Sequence, residues 1–284
     1  MRSLLFILLF IPLLINGQHV CGADEYNQKF IDANPKKYQQ IEKDLQDFLK
    51  YRHKKSGSIV LPVVYHVVWH DTVHNLHDSI LHAQLEVLNE CFNLENGDTT
   101  ILTDTLKNLP GNFGIRFELA HTDPSGNPTN GITRTYTSNL SFSYSNNAVK
   151  FDSLGGGLLG YSQFPGGPIL TDGNVIDYAV TGNKMYPWTY GPNYAMGRVL
   201  VHEIGHWLNL YHPWWGGGAS WCGDDGVDDT GIQDGPTFPN AGCPDTSFSN
   251  CTPSEREIVK IAKDHGFESQ RAWGSNGQAL GMHE

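Results

Sequence analysis

The stretch HEIGHWLNLYH, residues 202–212, constrains this chain more than any other, because its three histidines can meet only if the backbone turns in one particular way. On a helix, positions four apart share a face, so His202 and His206 aim their imidazoles at one point, with Glu203 beside them. Six residues beyond His206 a continuous helix has turned through about 600°, which leaves His212 roughly 240° off that face. His212 therefore joins the other two only if the helix stops and the chain doubles back. A left-handed residue just past the helix end achieves this; glycine is cheapest there and asparagine is the usual substitute. Asn209 falls at that place. Its cost against glycine is about 1 kcal/mol, small beside the ~10 kcal/mol or more of a structural zinc ion. The expectation is a reversal just after Leu208 and a zinc site of His202, His206 and His212 with an open fourth position, where Glu203 polarises a bound water. Two histidines four apart are also common on plain surfaces; without His212, a distant Glu or Asp would have to complete the site.

Composition narrows the setting. The chain has 284 residues, 39% hydrophobic and 17% charged, enough for one main domain with appendages. Thirty acidic residues against 19 Lys and Arg give a net charge of −11, which argues against binding a phosphate backbone, so no nucleic-acid partner is expected. Residues 1–17 have signal-peptide anatomy: Arg2, the apolar run LLFILLFIPLLI at 4–15, then Asn16 and Gly17. That run spans roughly 18 Å as a helix, short of a ~30 Å hydrocarbon core, so a secreted product with no membrane association after signal removal is expected. Export makes the five cysteines candidates for disulfides. Cys222, Cys243 and Cys251 lie close together in a Gly- and Pro-rich region, whereas Cys21 and Cys91 stand apart. Asn139-Leu-Ser and Asn250-Cys-Thr are glycosylation sequons, usable where the source glycosylates exported proteins.

Periodicity places the elements. Residues 24–55 are charged and helix-prone, with Ile41, Leu45, Phe48 and Leu49 at helical spacing, and read as a small appendage ending in the exposed, cleavable run RHKK (52–55). SIVLPVVYHVVW (58–69) predicts one buried strand, DSILHAQLEVLNECFN (78–93) an amphipathic helix capped by Asp78 or Ser79, GIRFELAHT (114–122) a strand and ITRTYT (132–137) a short edge segment. GGGLLGYSQFPGGP (155–168) reads as loop, NVIDYAV (174–180) as a strand, and NYAMGRVLVHEIGHWLNLY (193–211) as the strongest helix, with the histidine motif on its second half.

At this point the chain resembles the pappalysin family of metzincin metalloproteases, in its ulilysin- and cytophagalysin-like branch. The metzincin pattern His-Glu-x-x-His-x-x-Gly-x-x-His is joined, in the family's order, by VYHVVWHD, VLNECFN, NGITR, GGGLLGYSQFPGG, NVIDYAV, GRVLVHEIGHWLNLYHPWWGG, GVDDTGIQDGP and GCP, across about residues 56–251. The resemblance implies an α+β zincin fold: a twisted mixed β-sheet, an active-site helix and an irregular C-terminal subdomain. It implies a signal peptide (1–17), a pro-segment (18–55) and a protease domain (56–284) whose tail, 252–284, diverges. Carried over, His202, His206 and His212 hold zinc and Glu203 is the general base and acid of a secreted, monomeric zinc metalloendopeptidase acting on protein or peptide substrates. Cys21, in VCGADEYN, takes the family's latency position, where a thiolate occupies the open zinc site. GDDGVDDTG (223–231) resembles a calcium loop, with Asp225, Asp228, Asp229 and Thr230 as oxygen donors.

Two departures qualify these expectations. Between NNAVKFDS (146–153) and LGGGLLGYSQF the family carries some twenty further residues with a strand of the type YLNIWVCN, absent here, and losing a central strand strands the backbone groups of its neighbours. After GCPDTSFSNC nothing matches the family's Met-turn; Met282 is the only later methionine and its context differs. The family's second cysteine partner falls in the same lost region, which implies Cys222 paired with Cys251 and Cys243 unpaired. The alternative reading is a zinc-binding but catalytically impaired remnant or truncated gene product. A secreted adhesion module leaves the placement of Glu203 unexplained.

Overall fold

The computed structural model describes residues 21–50, 57–97, 111–138, 158–182, 196–215 and 225, apart from the side chain of residue 49. The proposed signal peptide, the run 52–55, both sequons, and Cys222, Cys243, Cys251 and Met282 lie outside these residues.

Among the described residues the helices and strands follow in the order α1 (Ala23–Ala33), α2 (Pro35–Lys50), β1 (Ile59–Val63), β2 (Tyr65–Trp69), α3 (Asp78–Phe92), β3 (Ile115–Leu119), β4 (Ile132–Tyr136), β5 (Gly160–Ser162), β6 (Asn174–Ile176) and α4 (Arg198–Trp207). This is a mixed α+β fold. The apolar stripe of α3 does what its spacing predicts: Ile80, Leu81, Leu88 and Phe92 are buried, at the i, i+4 and i+7 intervals that line one helix face. Its cap differs from expectation. His77, not Asp78 or Ser79, is the N-cap, and its Nδ1 accepts from the Ser79 backbone amide at 3.2 Å. Asp78 instead sits in the first turn, where negative charge suits the helix dipole and where it meets Arg134 of β4.

The predicted strand over 58–69 divides at Val64. β1 pairs in parallel with β3 and β2 in parallel with β4, because the partner chain leaves the sheet between them. The Ala120 amide closes on the Val63 carbonyl, and the chain returns at Gly131, whose carbonyl accepts from the Tyr65 amide. Gly131 has φ 72, and a Cβ there would come within 2.9 Å of the Ala120 nitrogen. Nor is this strand buried as its composition suggests, since Val60 and Val64 are 50% and 42% exposed. Among the described residues no strand joins β2 to β6, and both line a groove of about 480 Å³. Leu61, Tyr65 and Val67 form one wall, Val175 and Ile176 the other, and Leu200 and Ile204 of α4 the floor. The groove is a gap between β2 and β6 among the described residues; residues 139–157, where the sequence departs from the family, lie outside them.

On the far side of that gap the expected loop contains a strand. Residues 160–162 form β5, fully buried and antiparallel to β6. Glycine content misled here, because Gly160 serves close packing rather than a turn. β6 is shorter than the expected 174–180, since the Asp177 carboxylate caps a 3-10 turn at Tyr178–Val180 and ends the strand. The central core joins these parts: Leu88 and Phe92 of α3, Phe117 of β3, and Val199, Leu200, Val201 and Ile204 of α4.

α4 begins at Arg198, five residues later than the pattern suggests. Gly197 before it is left-handed (φ 68), and a Cβ there would stand 2.1 Å from the Gly182 carbonyl oxygen. The buried Gln84 side chain ties this junction, donating to the Gly197 carbonyl at 2.7 Å and accepting from the Gly182 amide at 3.0 Å. Gly197→Ala is accordingly expected to destabilise the protein by about 2 kcal/mol or more, from an unfavourable φ and a backbone clash together, read as a lowered denaturation midpoint in urea.

Candidate metal centre and its cover

The C-terminus of α4 carries the decisive local geometry. The helix ends at Trp207 with Leu208 as C-cap, and Asn209 is left-handed at φ 73. The Asn209 amide donates to the His206 carbonyl at 2.8 Å and the Leu210 amide to the Gly205 carbonyl at 2.9 Å. These are the two bonds of a Schellman reversal, which redirects the chain while satisfying the last helical carbonyls. An aromatic cluster fixes the returning strand: Phe164 meets Tyr211 edge-on at 4.7 Å and Trp215 at 5.5 Å, and the His212 ring stacks on Trp214 at 4.4 Å.

As a result the three imidazoles converge. The His206 Nε2 lies 3.0 Å from that of His202 and 3.2 Å from that of His212, and the His202 and His212 Nε2 atoms are 3.2 Å apart. All three residues are buried. Protonation is set from the other side of two rings. The His206 Nδ1 is 2.7 Å from the Leu210 carbonyl, which only accepts, and the His212 Nδ1 is 2.8 Å from an Asp24 carboxylate oxygen. Both Nδ1 atoms therefore carry the proton, and the two Nε2 atoms present lone pairs to each other. Burial above all, then the neighbouring His212, holds the His206 pKa down to about 3 against the opposing pull of Asp24 and the Leu210 carbonyl. Facing lone pairs in a buried site repel unless a cation lies between them, so these residues fit a metal ion on their own chemistry.

The Cys21 thiol completes the cluster. Its Sγ is 3.5 Å from the His206 Nε2, and the ligand atoms of Cys21, His202, His206 and His212 all lie within 4.8 Å of one another. The segment bearing it is docked, not an appendage. Cys21 forms a parallel bridge with Gly160, and the Gly22 amide donates to the Gly160 carbonyl at 2.9 Å. Further on, the buried Asn27 amide donates to the Ser162 carbonyl at 2.8 Å and accepts from the Phe164 amide at 2.7 Å, so one side chain supplies the donor and acceptor of a neighbouring strand. At the other end, Tyr38 and Glu42 of α2 hold the Tyr211 hydroxyl at 3.1 and 3.0 Å, one residue before His212.

Glu203 is fully buried beside the cluster, against β5. A Cβ at residue 160 would lie 2.8 Å from Glu203 Oε1 and 3.0 Å from its Cγ, so glycine there leaves the carboxylate its place. The Ser162 hydroxyl donates to the Glu203 carbonyl at 2.6 Å and locks α4 to the strand. Gly160, Asp24 and Asn27 were not singled out from the sequence. Their partners lie 43 to 188 positions away, and no local pattern announces such contacts. Of the acidic loop, Asp225 is buried, while Asp228, Asp229 and Thr230 fall outside the described residues.

Comparison with known proteins agrees with this geometry. No family model matches the chain. Extracellular metalloproteases of Pyricularia oryzae and Colletotrichum graminicola are each 28% identical to it, over 82% and 80% of the chain and 76% and 75% of their own lengths. Among solved structures, a promirolysin mutant of Tannerella forsythia is 31% identical, with a TM-score of 0.65 over 93% of this chain and 97% of that one. Mature mirolysin of the same organism, in complex with a cleaved peptide, is 33% identical, with a TM-score of 0.58 over 80% of this chain and 99% of its own. The chain belongs to the pappalysin family of metzincin metalloproteases. Within this pappalysin the cluster of Cys21, His202, His206 and His212 is a group that could hold a metal ion, and α4 with β5 forms its frame.

Two substitutions test that frame. Gly160→Ala is expected to displace the Glu203 carboxylate and reduce peptidase kcat at least tenfold with little change in fold, measured by turnover alongside circular dichroism. Asn209→Val, which tolerates a left-handed φ poorly, is expected to cost about 1–2 kcal/mol more than Asn209→Gly in urea unfolding and to weaken metal retention, whereas Asn209→Gly retains it.

Proposed function

We propose that the protein is a secreted zinc-dependent metalloendopeptidase, made as a latent precursor, that hydrolyses peptide bonds in protein or peptide substrates. The observation that carries this is the pair of inward Nε2 lone pairs of His206 and His212, meeting His202 beside a buried Glu203. Tetrahedral zinc holds imidazole nitrogens about 3.3 Å apart and a thiolate sulfur about 3.6 Å from them. Here the three nitrogens are 3.0–3.2 Å apart and the Cys21 Sγ is 3.5 Å from the His206 Nε2, with all four ligand atoms within 4.8 Å of one another.

When bound by His202, His206 and His212, zinc supplies a Lewis acid that lowers the pKa of water and polarises a carbonyl. The remaining work falls to the chain. Glu203 takes a proton from the attacking water and returns it to the leaving amine, and its burial keeps this transfer out of bulk solvent. β5 holds Glu203 in place and offers a strand edge along which an extended peptide can align.

Latency is assigned to residues 18–55 as a pro-segment, with Cys21 as the fourth metal ligand and cleavage near 52–55. Its support is the docking of Cys21 against the histidines and the larger share of this chain that aligns with promirolysin, 93% against 80% for mature mirolysin. Calcium at Asp225, Asp228, Asp229 and Thr230 and a disulfide between Cys222 and Cys251 remain part of the proposal from the family resemblance. A second reading, a zinc-binding but catalytically impaired remnant, rests on the family stretches that the sequence lacks after residue 153 and after residue 251.

The two readings separate on one preparation. Chain cleaved before Ser58 is expected to carry one equivalent of zinc and to hydrolyse a mixed fluorogenic peptide library, with Glu203→Ala losing at least a thousandfold of that activity. Zinc at one equivalent with no turnover decides for the remnant. Full-length Cys21→Ala is expected to show turnover that the full-length wild type lacks, and chelation is expected to abolish turnover in both.

A further inference from the structure

The N-terminal segment touches the metal centre at two points, and only the first, Cys21, has been given a role. The second is Asp24, in the first turn of α1, whose carboxylate accepts from the His212 Nδ1 at 2.8 Å. His212 is 3% exposed and the Asp24 side chain 28%, so the contact is sheltered from solvent but not sealed. A carboxylate at that nitrogen fixes the tautomer, aims Nε2 and makes the ring a more basic ligand. For His206 the equivalent partner is the Leu210 carbonyl, within the Schellman reversal itself. The two rings therefore draw their orientation from different parts of the chain. One partner is built into the metal-binding helix and its turn, while the other is carried by residues 21–50.

We propose that Asp24 is a positioning residue for His212, so that the N-terminal segment strengthens metal binding through this carboxylate independently of the Cys21 thiolate. The segment would then be an assembly aid as well as a cover: the metal is taken up while His212 is held in line, and the site that remains after the segment leaves binds metal less tightly. This rests on the zinc reading above, and the experiment keeps the two apart.

The test is zinc affinity, by competition with a chromophoric chelator, in full-length protein whose integrity is checked by mass and whose fold is checked by circular dichroism. Asp24→Ala is expected to weaken zinc binding 10- to 100-fold, and Asp24→Asn, which keeps an acceptor but no charge, by an intermediate factor. The same Asp24→Ala loss is expected in a Cys21→Ala background, because it acts through His212. Unchanged affinity in Asp24→Ala overturns the proposal. So does a loss that vanishes once Cys21 is already alanine, since Asp24 would then only be holding the thiol in place. If Asp24→Ala does not fold, the Asp24→Asn pair, with and without Cys21, gives the same decision. Wild-type protein that takes up no zinc at all overturns the zinc reading instead, a different result from either.

Discussion

The structure depends on one reversal of direction. Helix α4 delivers His202 and His206 to a point, but a third ligand six residues on is out of reach of any continuing helix, and the left-handed Asn209 with its two backward hydrogen bonds solves the problem within two residues. Much of the neighbouring packing secures that turn. Phe164 and Trp215 brace Tyr211, Trp214 lies flat against His212, and the Leu210 carbonyl released by the turn sets the proton on His206. A local backbone choice worth about 1 kcal/mol thereby arranges a cluster whose polar atoms are useful only around a cation.

Around this point the fold is uneven. The side bearing α4, β5 and the segment 21–50 is closely fitted, with Gly160, Gly22 and Gly166 all placed where a methyl group would collide with a neighbour. On the opposite side a groove lies between β2 and β6 among the described residues, and Val60 and Val64 are exposed. The halves of the sheet are joined through helices, since Leu88 of α3 and Leu200 and Ile204 of α4 pack beneath both. The histidine cluster belongs to the closely fitted side.

What could be read from the sequence followed physical range. The reversal at Asn209, the convergence of His202, His206 and His212, the face of α3 and the approach of Cys21 depend on spacing within a helix or on a motif, and the fold has them. The departure from the family read before β5 falls on residues outside those described. Errors arose where the deciding contact was distant. Residues 155–168 looked like loop because glycine favours turns, yet Gly160 is a buried strand residue whose missing side chain makes room for Glu203 across 43 positions. The start of α4 was set too early because only the Gly182 carbonyl makes the left-handed Gly197 necessary. Asp24 carried no signal of its own in the sequence, because its contact is with a histidine 188 residues away.

The contact of Asn27 with the edge of β5 carries a consequence for the order of events. A single carboxamide occupies the Ser162 carbonyl and the Phe164 amide, two groups that a polypeptide laid along this edge would itself need. On the proposed reading a peptide substrate and the segment 21–50 would be rivals for the same seats. The segment would then leave before the substrate docks, giving up both this carboxamide and the backbone pairing of Cys21 and Gly22 with Gly160.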